Sequence, residues 1–307
     1  MHDPELRRPS IAAIQEYLLK TLQNLSADRH AVQQRLDHSR YALTGDARYE
    51  WDWQRQVLGL THLREIVTDS AAAIGVPAPA VDAAMMRGET GKRWQRNQPL
   101  PRTKTVERRQ LIDRLLDQVH RYNNMAAVHR AYVERFGAPE GNSGMYHRGT
   151  LDALHQRIGA VAYALHLSPD EKTYLWGHSD YVVKTLTTHY LDGAESALLD
   201  RWDTTANGAI WHRESQLGQP LREAGITRTA IAASGQSPPT PDELINALGP
   251  SLSIRGSEAN LEPAAGGSEI SSAIEAADPG TEATELGTAD PTDPSTDAGP
   301  TPPGLDP

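Results

Sequence analysis

From Trp53 to Ile74, apolar residues recur in steps of three or four at Trp53, Val57, Leu60, Leu63, Val67, Ala71 and Ile74, and the series stops at Gly75. That spacing is one face of an α-helix, so the run predicts a long helix buried along one side and ended by a glycine. The same period returns elsewhere. Ser10 offers an N-cap to Ile11, Ile14, Leu18, Leu22 and Leu25, and Ser26 offers one to a second stripe, Val32, Leu36 and Leu43. Leu111, Ile112, Leu115, Leu116, Val119 and Tyr122 form the strongest amphipathic helix, and Leu151, Leu154, Ile158, Val161, Ala162 and Leu165 form another. No stretch alternates apolar and polar residues as a half-buried strand does, so the expected class is all-α.

Local stop and start signals divide the chain. Gly45-Asp46 separates an N-terminal helical hairpin, residues 1–45, from a helical body, residues 46–230. Within the body Ser168-Pro169-Asp170-Glu171 supplies an N-cap, an N1 proline and an N3 carboxylate, the pattern of a capping box. Beyond residue 230 there are 13 acidic residues and one arginine, whereas residues 1–230 hold 29 basic and 27 acidic ones. The net charge of −10 therefore belongs to the tail, and the body is close to neutral. Residues 231–307 are rich in Pro, Gly, Ser, Thr, Asp and Glu, too poor in apolar surface to offset chain entropy, and are expected to be disordered. One short helix is expected inside them, over 241–248, where Thr240-Pro241-Asp242-Glu243 caps Leu244, Ile245 and Leu248.

Several chemistries are disfavoured. The chain has no cysteine, hence no disulfide or thiolate metal site, and no apolar run as long as a membrane span or signal-peptide core, so the expectation is a cytoplasmic protein with no membrane segment. Twelve histidines are scattered without a His-x-x-x-His or His-Glu-x-x-His pair. Gly88-Glu-Thr-Gly91-Lys92-Arg93 lacks the length, the preceding strand and the hydroxyl residue of a phosphate loop. Gly177-His178-Ser179-Asp180 gathers hydrolase residue types side by side, whereas a triad needs them to converge from separate places. No cofactor motif and no catalytic residue is expected.

The stretch Val67–Glu89 joins the long helix to its successor, with Ala71 where two helices pack closely, Gly75 at the turn and Val81 as the core contact of the second helix. It resembles the helix-turn-helix of phage-repressor (Cro/C1) type DNA-binding regulators. The run Val161-Ala-Tyr-Ala-Leu-His-Leu-Ser-Pro-Asp-Glu-Lys-Thr-Tyr-Leu175 resembles the segment after that motif in some actinobacterial regulators. The resemblance implies a recognition helix over Ala78–Met86. The residues turned towards base edges would then include Pro77, Ala78, Pro79, Asp82 and Ala83, which offer almost no hydrogen-bond donors. Phosphate contact is the chemistry left, and Arg87–Arg130 holds 11 basic residues against four acidic ones. The candidate nucleic-acid contacts are Arg87, Lys92, Arg93, Arg96, Arg102, Lys104, Arg108 and Arg109. A second Gly, at 137, and a second Arg-Gly pair, at 148–149, fall 62 and 61 positions after Gly75 and Arg87-Gly88, which suggests a degenerate repeat over 125–150.

Two functions fit these features. One is a non-enzymatic DNA-associated protein, a transcriptional regulator or mobile-element accessory factor, compatible with a homodimer. The other is a helical protein–protein adaptor that binds no nucleic acid, using the N-terminal hairpin and Leu244, Ile245 and Leu248 to hold a protein partner.

Overall fold

A computed structural model describes residues 9–41, 47–96, 98–100 and 105–246. The described chain is all-α. Its helices are α1 (Ile11–Tyr41), α2 (Ala47–Ala73), α3 (Ala78–Glu89), α4 (Arg108–Phe136), α5 (Gly141–Leu165), α6 (Pro169–Trp176), α7 (Ser179–Asp192), α8 (Glu195–Thr205), α9 (Gly208–Leu217), α10 (Gln219–Glu223), α11 (Arg228–Ala233) and α12 (Pro241–Asn246). Leu43, Arg102, Lys104 and Leu248 lie outside the described residues.

The expected hairpin within residues 1–45 is replaced by one continuous helix. Ser26 does not start a second helix; it sits in the middle of α1, fully buried, because α3 crosses α1 at this point. A Cβ on Gly88 would lie 2.3 Å from the Gln23 carbonyl oxygen and 2.4 Å from Ser26 Cβ, so the crossing needs glycine on α3 and a short side chain on α1. The capping preference of serine is a local term of about 1 kcal/mol, and the packing of two helices outweighs it. The hairpin that does form is α1 against α2.

The turn between α2 and α3 falls where the sequence predicts it. Gly75 adopts φ 82°, and the amide of Val76 reaches back to the carbonyl of Ala71 at 2.9 Å. A Cβ at Gly75 would also lie 2.8 Å from Leu111 Cδ1, so the same residue reverses the chain and admits α4 against the turn. Ala71 and Val81 are buried, as expected, but the buried face of α3 (Ala80, Val81, Ala84, Gly88) is laid chiefly along α1.

Helices α4 and α5 form the centre of the remainder. α4 packs on α5 and α7, α5 packs on α9, and Leu115, Val119, Tyr122, Leu151, Leu154 and Ile158 fill the space between. The Ser168 capping box opens α6, with both of its reciprocal hydrogen bonds formed. At the far end of α4 a smaller cluster is built on Trp202, which stacks on Tyr132 at 4.0 Å and on His147 at 4.6 Å between ring centroids. Gly137 and Gly75 both have a positive φ, at 84° and 82°. The helix after Gly137 is 25 residues long, against 12 after Gly75.

The ordered body does not stop at residue 230. Residues 231–246 form the end of α11, an extended strap and α12, packed across α4 and α5. Their backbone finds partners in the body: Tyr122 Oη donates to the carbonyl of Pro239 at 2.8 Å, Arg130 Nη1 to that of Ile245 at 2.9 Å, and His155 Nε2 lies 3.2 Å from that of Pro238, while the strap's own Gln236 Nε2 donates to the carbonyl of Leu167 at 3.2 Å. Leu244 is fully buried and Ile245 packs on the same core. Composition alone placed residues 231–240 in a disordered tail because a polar strap has little apolar surface of its own. Here the apolar surface is supplied by α4 and α5, and the polar backbone is satisfied by their side chains.

Candidate functional site

Glu89, the last residue of α3, gathers cations from two other helices. Its Oε1 lies 3.0 Å from Arg64 Nη2 on α2 and 3.9 Å from Arg29 Nη1 on α1. Next to Arg29 on α1, Asp28 is ion-paired with Arg93, from the segment that follows α3. That segment is pinned to α1 by its backbone. Gln23 Nε2 donates to the Lys92 carbonyl at 2.9 Å, and the Trp94 amide donates to Asn24 Oδ1 at 2.9 Å. Gly91, at φ 77°, turns the chain beside the ring of His30. The result is one corner of the molecule carrying Arg29, Arg64, Arg87, Lys92, Arg93 and Arg96 against two carboxylates, Asp28 and Glu89. Arg87, Lys92, Arg93 and Arg96 are exposed.

Sequence spacing placed four of these six cations in the candidate set and missed Arg29 and Arg64. They lie on helices whose other features are apolar, and only the close approach of α3 brings them to Glu89. The remaining candidates divide. Arg109 is exposed at the start of α4. Arg108 is engaged within the fold: Nε and Nη2 donate to the two oxygens of Glu171 at 2.6 and 2.7 Å, and the guanidinium also donates to the carbonyls of Leu165 and His166 at the end of α5. The hydrogen bond to Arg108 pulls the Glu171 carboxyl well down, to about 2, while the same contact raises Arg108. A guanidinium so placed joins α4, α5 and α6 rather than facing a ligand.

The outward face of α3 carries Ala78, Pro79, Asp82 and Met86, all exposed. It offers neither an amide nor a guanidinium to a base edge, and Asp82 repels phosphate. Leu244 is fully buried against the body's own core, and Leu248 lies outside the described residues.

Other polar clusters are structural. Ser179 is buried and accepts a hydrogen bond from Asn123 Nδ2 at 3.2 Å, while His178 beside it is exposed at the helix start, so no base converges on the hydroxyl. Glu214 is buried between Arg121 at 2.6 Å and Arg157 at 3.6 Å and ties α9 to α4 and α5. A cleft of about 400 Å³ beside α4 and α8 is lined by Asp117, His120, Asn124 and Thr204 among others. Its Asn124 side chain accepts the Tyr190 hydroxyl at 2.6 Å. Among the described residues no group of three His, Asp or Glu could hold a metal ion, and no helix is long and apolar enough to cross a membrane. In comparisons with known proteins the chain matches no family model, no curated protein and no solved structure.

Proposed function

We propose that this protein associates with nucleic acid, double-stranded DNA in the first instance, through phosphate contacts at the corner formed by α1, α2 and the end of α3. The observation that supports this reading is the gathering of Arg29, Arg64 and Arg93 around two carboxylates, with Arg87, Lys92 and Arg96 exposed on the stretch of chain that carries Glu89 and Arg93. An unbalanced cationic cluster of this kind raises the local concentration of a polyanion and gives up counterions on binding. The outward face of α3 has nothing with which to read bases, so the association is independent of sequence. No catalytic residue takes part. A DNA-associated accessory factor fits this chemistry better than a regulator of one operator.

The test is a fluorescence-anisotropy titration of mixed-sequence duplex DNA at two salt concentrations. Changing Arg87, Lys92 and Arg96 together to Ala should weaken binding and reduce the salt slope by about 2 to 3, at roughly 0.9 per phosphate contact. These three residues are chosen because their loss leaves the ion pairs of Asp28 and Glu89 intact. A wild-type chain that shows no salt-dependent binding, or a triple variant with an unchanged slope, refutes the reading. The adaptor reading is favoured by a different observation, the exposed apolar side chains Trp51 and Leu58 of α2.

A further inference from the structure

From Gly256 to Pro307 the chain holds 11 Asp and Glu and no Lys, Arg or His in 52 residues. The rest has 30 basic and 29 acidic residues, so this stretch carries the net charge of −10. Such a stretch is drawn to cations that the fold has not already engaged. Several arginines of the body are engaged: Arg108 with Glu171, Arg121 and Arg157 with Glu214, and Arg148 with Asp152 and Asp242. At the corner of α1, α2 and the end of α3 the balance differs. Asp28 and Glu89 answer Arg29, Arg64 and Arg93, while Arg87, Lys92 and Arg96 are exposed on the stretch that carries Glu89 and Arg93. Reach does not limit a contact between the two. Asn246, the last described residue, stands 12 positions before Glu258 and 60 before Asp306. At about 3.3 to 3.6 Å per residue these lengths span at most about 40 and about 200 Å. A body of about 230 residues has a radius of gyration of about 17 Å, so its whole surface lies within range of these carboxylates.

We propose, resting on the phosphate-contact reading of this corner, that residues 256–307 dock on it as an intramolecular stand-in for phosphate, and that nucleic acid binds by displacing them. Tethering offsets the weakness of each contact, because a segment of the same chain is present at an effective concentration on the order of mM whatever the protein concentration. The two anions differ in charge density. Eleven carboxylates in 52 residues amount to about one per five residues, or one per roughly 16 Å of extended chain. Duplex DNA presents one phosphate charge per roughly 1.7 Å of its axis. The acidic segment therefore holds the corner against sparse polyanions and yields to a duplex, so it sets a threshold rather than a block. Because the attraction is between charges and not between matched pairs of residues, it survives any reordering of the segment and is lost with its charge.

The chain has no cysteine, so Thr90→Cys, at an exposed position of the corner, and Thr284→Cys, among the carboxylates, supply the only thiols for a donor and an acceptor dye on the full-length chain. Energy transfer should be high at low salt and fall as salt screens the contact. Self-repulsion alone gives the opposite sign, because a charged segment with no docking site contracts as salt rises. Changing the 11 carboxylates to Asn and Gln, or Arg87, Lys92 and Arg96 to Ala, should abolish the fall, whereas scrambling the order of the segment at constant composition should preserve it. Excess mixed-sequence duplex DNA should lower the transfer, and the chain with amides in place of carboxylates should bind that duplex about three- to tenfold more tightly at low salt. Transfer that does not fall with salt, or that falls equally in the triple cation variant, overturns the proposal. The transfer measurement needs no DNA and so separates the two readings. A chain that binds no duplex yet shows the salt-dependent transfer sinks the DNA reading and leaves the self-contact standing. Duplex binding of equal affinity with and without the carboxylates leaves the DNA reading standing and overturns the displacement.

Discussion

The arm made by the second half of α1 and the first half of α2 and the body around α4 and α5 are built from the same kind of amphipathic helix, yet they differ in how far burial is completed. In the body each long helix has neighbours on several sides, α7 and α5 on α4, and α9, α11 and α12 on α5, so even polar side chains such as His147, Thr150 and Glu214 are enclosed. In the arm one face of α2 is covered by α1 and the other is bare, leaving Trp51 and Leu58 in solvent. A helix buried on one side gains only part of the area that its apolar residues could remove from water. The contrast teaches that stability is concentrated in the body, while the arm is where surface is left over for association.

The largest expected effect separates the two regions directly. Leu154→Ala, in the fully buried centre of α5, should lower unfolding free energy by about 4 kcal/mol because the surrounding helices cannot collapse into the space. Leu58→Ala should change it by less than about 0.5 kcal/mol at concentrations where the chain is monomeric. Chemical denaturation of both variants measures the difference, and equal losses would break the contrast between arm and body.

A second experiment asks whether the strap and α12 belong to the body. Leu244 is fully buried among α12's neighbours on α4 and α5, so Leu244→Ala should cost about 3 kcal/mol and should speed amide exchange in residues 241–246. A change within experimental error would show that α12 contributes as little as an exposed element.

The smallest expected effect is a pH dependence confined to the body. Burial, and secondarily the neighbouring His129, depress the His147 imidazole to about 4, and burial also lowers His129 and His155. Because the folded state holds His147 neutral while the unfolded chain can protonate it, the unfolded state binds more protons between its ordinary value near 6.5 and about 4. Stability is therefore full above that window and falls as pH drops through it. Going from about pH 7 to about pH 5 should remove roughly 2 kcal/mol through His147 alone. His147→Gln should flatten part of this slope, measured by thermal melts across the range. A slope unchanged by the substitution would place the acid sensitivity elsewhere. What opposes protonation is burial of the charge and the neighbouring His129; the Met125 carbonyl, 3.0 Å from Nε2, accepts from the ring and favours the charged form.

What the sequence determined by itself is local. The all-α class, the turn at Gly75, the burial of Ala71 and Val81 and both capping boxes follow from side-chain period and from hydrogen bonds made within four residues, so each is written where it acts. Tertiary structure alone decided the rest, because those outcomes depend on groups far apart in the chain. Ser26 stays inside α1 because Gly88, 62 positions later, crosses it. Arg108 is engaged within the fold because Glu171 and the carbonyls of Leu165 and His166 accept its guanidinium hydrogen bonds. Arg29 and Arg64 join the basic corner only through Glu89, and the strap before α12 is held in place because Tyr122 and His155 bond its carbonyls and its Gln236 side chain bonds the carbonyl of Leu167. Period and caps report the energy a segment can realise alone. Charge convergence and strap ordering report energy that exists only once the helices have met.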